Sequence, residues 1–400
     1  MLPLDAKARW SPEWQEPTLL KVAGLQEFAA GEFPLERMLL DLRVPETAAA
    51  AALLDLPWAG VLVGADADGP TRLRHREVAL LGDPATVRPG DVVELRPGSS
   101  KIAVRYRRGD NGNVLFATER CNSFCLMCSQ PPREIEDGWR VEQLCDLAGL
   151  IDKDEPSLAI SGGEPTLLGA GLERVIRRCA RALPDTHVHV LSNGRRFEDQ
   201  AYADSFAGAH PSLTWGVPLY GDHHRLHDYI VQSPGAFAQT VRGLYALHAA
   251  GQRIEVRVVL TKPVAERLPE LARYLYRNLP FVEHVALMGT EPIGFAKAHH
   301  EALWIDPVDL GPTLMEAAQF LDRRGMAVSL YNLPLCTQPP DLWPFARRSI
   351  SDWKQHYLPA CEGCALKDRC GGFFGWITPE WTSRAIAPIT AKDDFSCARH

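Results

Sequence analysis

The most informative segment of the sequence is Thr118-Glu119-Arg120-Cys121-Asn122-Ser123-Phe124-Cys125-Leu126-Met127-Cys128. It places three cysteines on one loop with the spacing C-x3-C-x2-C. The loop directly follows Val114 to Ala117, a short apolar run of the kind that forms a buried β-strand. Active sites of parallel α/β sheets lie at the carboxyl ends of the strands, so this loop is where we expect chemistry.

Three thiolates at this spacing can each bind a different iron of a [4Fe–4S] cluster, which normally has four cysteine ligands. Three ligands leave one iron open, just as a catalytic metal keeps an open position. Buried structural cysteines and an incomplete zinc site are the alternatives. Packing alone explains poorly why three cysteines gather at the end of one strand. The spacing therefore favours an open iron–sulfur cluster on Cys121, Cys125 and Cys128.

The strand pattern repeats along the chain to about residue 290. Further strand-like runs are Leu158 to Ile160, Val188 to Leu191, Leu213 to Leu219, Ile254 to Leu260 and Val285 to Met288. The helical stretches between them are Val141 to Ile151, Leu172 to Leu183, Gly235 to Ala249 and Arg267 to Leu279. Six β/α repeats predict an α/β fold, with a parallel sheet that is open or curled into a partial (β/α)6 barrel.

The first 110 residues or so have a different character. They contain no cysteine, are rich in Pro and Gly, and end in strand patterns at Asp91 to Leu95 and Ile102 to Tyr106. We therefore predict a β-rich N-terminal domain, in which nothing suggests chemistry.

Composition limits the function classes. A chain of 400 residues predicts two or three domains, and 46% hydrophobic with 23% charged residues is typical of a soluble globular protein. The net charge of −7 provides no basic field for nucleic acid. No apolar run is long enough to span a membrane and no signal peptide is visible, so we predict no membrane and a cytoplasmic location. Clustered cysteines there are better interpreted as metal ligands than as disulfides.

Two short polar motifs close the next strands. Ser161-Gly162-Gly163-Glu164-Pro165 follows the second strand. Glycines let a ligand approach the backbone closely, and a carboxylate accepts hydrogen bonds from an ammonium group. Ser192-Asn193-Gly194 closes the third strand, although this sequence also describes any tight turn.

A second cysteine group lies near the C-terminus. The motif is Cys361-x2-Cys364-x5-Cys370, with Cys336 upstream. Four thiolates close a cube with no vacancy, which favours an auxiliary [4Fe–4S] cluster, and a four-cysteine zinc site is the alternative. Cys397 could replace Cys336 as the fourth ligand.

Other candidate ligands are interpreted as structural. Cys145 and Cys179 lie on helical apolar faces and are predicted to be core residues. The histidines of the segment that follows the fourth strand are not expected to bind metal; they are His223, His224 and His227.

The first cysteine loop resembles the signature of the radical S-adenosylmethionine (SAM) superfamily, C-x3-C-x-φ-C, in which φ is usually aromatic and is Met127 here. The resemblance implies that SAM binds the open iron, that Met127 packs on the adenine, and that the two motifs contact the rest of SAM. It assigns the methionyl amine to Gly162, Gly163 and Glu164, and the ribose and carboxylate region to Ser192 and Asn193.

The C-terminal cysteines resemble the auxiliary-cluster domain of radical SAM peptide maturases, called SPASM or, when shortened, twitch. The fourth cysteine of the full pattern is replaced by Phe374, so one auxiliary cluster is expected rather than two. Together with the N-terminal strand pattern, the resemblance predicts three domains: a β-rich domain at 1–110, a radical SAM core at 111–305 and a small C-terminal iron–sulfur domain at 306–400.

Within the superfamily, residues of about 90 to 375 resemble the His-Xaa-Ser system maturase of the HxsC type. The resemblance rests on Leu126-Met127-Cys128-Ser129-Gln130-Pro131-Pro132, on Leu287-Met288-Gly289-Thr290-Glu291-Pro292 and on the closing Cys370-Gly371-Gly372-Phe373-Phe374. It implies an oxidoreductase-type modification of a ribosomally made precursor peptide with His-Xaa-Ser repeats. The implied partners are a second radical SAM maturase, a small accessory protein, and flavodoxin or ferredoxin as reductant.

Other functions remain open at this point. One is a radical SAM enzyme that acts on a different protein or on a small metabolite. An electron-transfer protein with two closed clusters and a zinc-stabilised interaction module are candidates from other classes. The open ligand position and the Gly-Gly-Glu motif favour an enzyme over both of these.

Overall fold

The computed structural model of the protein describes residues 3–49, 51–64, 76–349 and 352–390. The chain forms two compact units that interleave along the sequence. The first consists of residues up to 115 together with 139–158 and 174–186, and the second of 116–138, 159–173 and the chain from 187 onward. The chain therefore passes from one unit to the other after residues 115, 138, 158, 173 and 186.

The first unit contains a closed barrel with the strand order β1-β5-β4-β3-β2-β6-β7. Its strands are β1 Asp5–Trp10, β2 Thr18–Ala23, β3 Met38–Asp41, β4 Gly60–Gly64, β5 Glu77–Leu80, β6 Val92–Leu95 and β7 Lys101–Tyr106. Its helices are α1 Leu25–Ala30, α2 Pro45–Ala49 and α3 Arg140–Ala148. The prediction of a β-rich N-terminal region is confirmed.

A buried ionic network lies in this unit. The Lys21 ammonium is fully buried and donates to Asp152 Oδ1 at 2.7 Å. Asp152 also accepts hydrogen bonds from the Arg108 guanidinium at 2.7 Å and from the Tyr106 hydroxyl at 3.1 Å. Burial lowers the pKa of Lys21, and the Asp152 charge opposes that shift. Buried charges are tolerated when they are paired in this way, so the network fixes the segment after α3 on the barrel.

The second sheet has seven strands in the order β14-β13-β12-β11-β10-β9-β8. They are β8 Val114–Phe116, β9 Ser157–Ser161, β10 His187–Leu191, β11 Leu213–Pro218, β12 Arg253–Leu260, β13 His284–Gly289 and β14 Ala327–Tyr331. Neighbours from β10 to β14 run parallel, which confirms the predicted α/β fold. The sheet contains one strand more than the six predicted, because β14 pairs with β13 beyond residue 305.

Helices follow the strands of this sheet. They are α4 Ala170–Ala182, α5 Gln200–Asp204, α6 His224–Val231, α7 Ala236–Ala249, α8 Lys262–Ala265, α9 Leu268–Asn278, α10 Phe295–Ala298, α11 His300–Leu303 and α12 Gly311–Asp322. In α9 the buried residues Leu268, Leu271, Ala272 and Leu275 follow helical periodicity. Burial of each leucine contributes about 1.5–3 kcal/mol. No helix of the described ranges is both long and apolar enough to cross a bilayer.

Candidate active site

The three cysteines lie on the loop that follows β8, as predicted, and each is partly buried. Backbone hydrogen bonds fix this loop against the end of α6: Phe124 N–H donates to the Val231 carbonyl at 3.1 Å, and Leu126 N–H to the Ile230 carbonyl at 2.9 Å. Cys128 N–H donates to the Cys125 carbonyl at 2.9 Å. The thiols therefore project from an ordered turn.

Asp137 holds the start of the cysteine loop, a role that the sequence analysis missed. Its fully buried carboxylate accepts from Thr118 Oγ1 at 2.6 Å, from Glu119 N–H at 3.0 Å and from Arg120 Nε at 3.0 Å. Burial alone would raise the pKa of Asp137, but the hydrogen bonds from Thr118 and Glu119 outweigh it and the pKa is lowered. Asp137 is therefore ionised at neutral pH, where it fixes residues 118–120.

The pKa values of the thiols depend on burial and on the charges of neighbouring groups. Burial, together with the nearby Glu164 charge, raises the pKa of Cys121 to about 12. Burial also raises the pKa of Cys125 to about 12, with added contributions from Cys121 and Cys128. These couplings show that the three thiols and Glu164 share one electrostatic environment. Without metal the thiols are protonated at neutral pH, so metal binding must displace their protons.

The Gly-Gly-Glu motif docks directly on the cysteine loop. Gly163 N–H donates to the Thr118 carbonyl at 2.7 Å, and Glu164 N–H to the Arg120 carbonyl at 2.8 Å. A Cβ atom on Gly162 or Gly163 would collide with those same carbonyls, and Gly162 has a φ of +144°. The two glycines therefore allow the backbones of the two motifs to approach each other closely.

The Glu164 carboxylate is 1% exposed and has four protein donors. Its Oε1 accepts from Thr166 N–H at 3.0 Å, Thr166 Oγ1 at 2.6 Å and Ser192 Oγ at 2.8 Å. Its Oε2 accepts from Asn193 N–H at 2.6 Å. The structure thus brings together three predicted site residues, Glu164, Ser192 and Asn193, around one carboxylate.

Asn193 and Met127 are the remaining residues that were predicted to contact SAM. Asn193 Nδ2 donates to Asn122 Oδ1 on the cysteine loop at 2.5 Å. Met127 is 8% exposed, so its thioether is mostly buried. Tyr220, which follows β11, was not predicted. Burial raises its pKa, and the Cys125 charge raises it further, which places the phenol near the thiols.

A polar network on β12, β13 and β14 was also missed. The Glu255 carboxylate interacts with His284 Nδ1 at 2.7 Å and accepts from Arg257 Nη1 at 2.7 Å. His284 Nε2 lies 2.9 Å from Ser329 Oγ. Burial would raise the pKa of Glu255, but His284 and Arg257 lower it to about 2. Charged residues at alternate positions of an otherwise apolar strand were the available signal, as in Glu255 and Arg257.

The four C-terminal cysteines line one cavity: Cys336, Cys361, Cys364 and Cys370. Backbone N–H groups point at two of the sulfurs. Cys370 Sγ accepts from Leu335 and Gly372, and Cys364 Sγ from Ile389, all at 3.4 Å. Cys397 lies outside the described residues. Among the described residues, no three His, Cys, Asp or Glu side chains form a ready site for a single metal ion.

Two of the three histidines after β11 have structural contacts. His223 Nδ1 accepts from Leu226 N–H at 3.4 Å at the start of α6. His227 Nδ1 accepts from Tyr220 N–H at 3.2 Å and is 1% exposed. Cys179 is buried, whereas Cys145 is partly exposed.

Residues 115–275 match the family model of the Radical SAM superfamily. The chain contains a radical SAM domain. The matched range includes the cysteine loop, the Gly-Gly-Glu motif and Ser192-Asn193. The prediction of a radical SAM enzyme is thus confirmed at the level of this domain. The search of curated proteins finds no match to the chain.

Solved structures with a related chain path include Streptococcus suis SuiB bound to S-adenosylmethionine, at 15% identity and a TM-score of 0.43 over 60% of this chain and 54% of SuiB. Native anSMEcpe with bound AdoMet and Kp18Cys peptide has 16% identity and a TM-score of 0.44 over 71% and 79% of the two chains. A radical SAM methyltransferase from Sphaerobacter thermophilus has 15% identity and a TM-score of 0.39 over 60% and 72%. The chain spans about half the length of SuiB. Likenesses this distant carry no argument about the substrate of the radical SAM domain.

Proposed function

We propose that this protein is a radical SAM peptide maturase, which cleaves SAM reductively and modifies a ribosomally made precursor peptide with His-Xaa-Ser repeats. The observation that carries the SAM-cleaving part is the junction of the two motifs. Hydrogen bonds from Gly163 and Glu164 to residues 118–120 hold the Glu164 carboxylate near the Cys121 thiol. We infer that this carboxylate belongs to the site in which SAM would bind.

The donor set fits a [4Fe–4S] cluster with one open iron. Cys121, Cys125 and Cys128 supply three soft thiolates from one loop, and their mutual electrostatic coupling shows that they share one environment. When bound, the cluster and SAM together supply a one-electron cleavage of a carbon–sulfur bond. The protein contributes binding, orientation and exclusion of water.

We assign SAM contacts to the residues around Glu164. In this assignment the Glu164 charge attracts the methionyl ammonium, while the glycines hold the carboxylate against the cysteine loop. Ser192 and Asn193 fix the orientation of the carboxylate through their hydrogen bonds at 2.8 and 2.6 Å and face the ribose and carboxylate region. The buried thioether of Met127 provides a polarizable surface for the adenine.

The C-terminal cavity is proposed to hold an auxiliary [4Fe–4S] cluster. Four cysteines line it, and backbone N–H groups point at the Cys364 and Cys370 sulfurs. Hydrogen bonds of this kind tune iron–sulfur sites. A zinc site with the same ligands is the alternative, and iron and zinc analysis of the purified protein separates the two.

The peptide substrate is supported by the sequence resemblance over residues of about 90 to 375. The same resemblance supports the proposed partners: a second radical SAM maturase, a small accessory protein, and flavodoxin or ferredoxin as electron donor. We propose that the reaction takes place in the reducing cytoplasm, where the cysteines stay available as metal ligands. A radical SAM enzyme that acts on a different protein or on a small metabolite is the alternative.

Conversion of SAM to 5′-deoxyadenosine by anaerobically reconstituted protein with dithionite tests the chemistry. Changing Cys121, Cys125 and Cys128 together to Ala should abolish product, whereas the control Cys145→Ala should leave it unchanged. Product that survives the triple change would show that the site is wrongly assigned.

A synthetic peptide with His-Xaa-Ser repeats tests the substrate. With the complete system we expect a mass loss of two hydrogens or another defined mass change by mass spectrometry. An unmodified peptide, together with active SAM cleavage, would leave the chemistry standing and reject the peptide assignment.

A further inference from the structure

Arg195 lies directly behind the loop that carries the three cysteines. It follows Ser192-Asn193-Gly194 at the end of β10 and begins the short helix Arg195–Glu198. Gly194 has a φ of +75°, and a Cβ atom there would lie 2.8 Å from Val217 Cγ1. Because only glycine suits this turn, the backbone fixes the direction in which Arg195 leaves β10.

The Arg195 guanidinium clamps the loop between the first two cysteines. Its Nη1 donates to the carbonyl of Asn122 and to Ser123 Oγ, the latter at 2.9 Å. Ser123 is 2% exposed, and its contact with Arg195 is partly buried. From the other side, Arg195 Nε donates to Gln239 Oε1 on α7 at 2.8 Å. The Arg195 guanidinium therefore connects α7 to the loop between Cys121 and Cys125.

The guanidinium also brings a permanent positive charge to the thiols. The two groups that it contacts, the Asn122 carbonyl and the Ser123 hydroxyl, lie between Cys121 and Cys125 in the chain. A cluster bound by three thiolates gains a further negative charge when it is reduced. A fixed cation in contact with its loop stabilises the reduced form more than the oxidised form.

We propose that Arg195 is a positioning residue that holds the first cysteine loop and favours reduction of the cluster bound there. This inference rests on the proposed function, because it requires a cluster on Cys121, Cys125 and Cys128. It adds a specific role for a residue of the turn after β10: Arg195 sets how easily the site accepts the electron that starts SAM cleavage.

The neighbouring arginine offers a matched control. Arg196 Nη1 donates to the Thr166 carbonyl at 3.0 Å, and its guanidinium lies 4.7 Å from the centre of the Tyr202 ring. No hydrogen bond between Arg196 and the cysteine loop is present in the described part of the chain. Arg195→Met and Arg196→Met therefore remove the same charge from adjacent positions.

The test is a redox titration of the reconstituted full-length protein, followed by electron paramagnetic resonance. The SAM-sensitive signal reports the first cluster. In Arg195→Met we expect the ratio of reduced to oxidised cluster at a fixed potential to fall about tenfold, which is about 59 mV for one electron. Arg195→Lys, which keeps the charge, should stay closer to wild type, and Arg196→Met should match wild type.

An unchanged midpoint potential in Arg195→Met at full iron content would overturn the proposal. If Arg195→Met assembles no cluster, Arg195→Lys decides: assembly at the wild-type potential supports the proposal. Loss of assembly in Arg195→Lys and Arg196→Met alike overturns it, because the effect is then not specific. Wild-type protein without any SAM-sensitive signal rejects the proposed function itself, which keeps the two failures distinguishable.

Discussion

Replacement of Glu164 by Ala should destabilise the protein before any SAM is added. The buried carboxylate accepts four hydrogen bonds, from Thr166, Ser192 and Asn193. A hydrogen bond to a charged group contributes about 1.5–3 kcal/mol, and such contributions are not additive within one network. Removing the carboxylate leaves these buried donors unsatisfied, at about 1–3 kcal/mol for each group, so we expect the free energy of unfolding to fall by about 3–5 kcal/mol.

The substitution Glu164→Gln removes the negative charge but keeps the size and shape of the side chain. The glutamine carbonyl can still accept the three donors that bond to Oε1, whereas its NH2 group faces the Asn193 N–H. We expect a loss of about 1–2 kcal/mol in stability. The loss of the negative charge should still weaken SAM binding by about 2–5 kcal/mol, since a charged partner is removed. The glutamine variant therefore tests SAM recognition with little damage to the fold.

Two assays measure these effects. Urea unfolding of metal-free protein gives stability without any contribution from SAM, and equilibrium dialysis of reconstituted protein gives SAM affinity. Glu198→Gln is a control on an exposed carboxylate and should change stability by less than about 0.5 kcal/mol. Stability of Glu164→Ala within about 1 kcal/mol of wild type would refute the hydrogen-bond argument. SAM affinity of Glu164→Gln within about twofold of wild type would remove the carboxylate charge from SAM recognition.

Three further predictions concern other parts of the molecule. Changing the cysteines of the closing C-x2-C-x5-C motif to Ala should lower iron from about eight to about four per chain; wild-type protein with about four irons and one zinc would contradict this. Burial lowers the pKa of His227 to about 4. Between about pH 6.5 and 4 the unfolded chain therefore binds more protons than the folded chain. The free energy of unfolding should fall by about 3 kcal/mol as the pH drops through that window. His227→Gln should flatten that part of the pH dependence in urea unfolding, and an unchanged slope would exclude His227 as its source. Asp152→Ala leaves the Lys21 ammonium without its partner and should cost about 3–5 kcal/mol, whereas a similar loss in the exposed control Asp154→Ala would show that the effect is not specific.

Local patterns predicted most of the parallel sheet. β12 consists of the predicted run Ile254 to Leu260 with Arg253 added, and β10 of Val188 to Leu191 with His187 added. The N-terminal barrel was only partly visible because strands such as β2 and β3 are buried on both faces and show no alternation. The seventh strand of the sheet, β14, was missed because it lies within residues 306–400, which were predicted to form a separate C-terminal domain.

The cysteine and Gly-Gly-Glu motifs were identifiable because their residues are close in sequence. The residues that hold these motifs in place are far from them in the sequence. Arg195 contacts Ser123 across 72 positions, and Glu164 contacts Ser192 across 28. Asp137 and Glu255 look like ordinary acidic residues until their donors are known. Side-chain contacts between distant segments leave no periodic signal in one sequence, so these supporting residues required the structure.

The interleaving of the two units has a consequence for synthesis on the ribosome. The first unit includes residues 139–158 and 174–186, so it is incomplete until residue 186 has left the exit tunnel. By then the cysteine loop and the Gly-Gly-Glu motif have already been translated, since both lie between its segments. Domains usually fold in order as the chain emerges. Here the first unit cannot be completed before parts of the second have been made, and truncation at any single position cannot separate the two units.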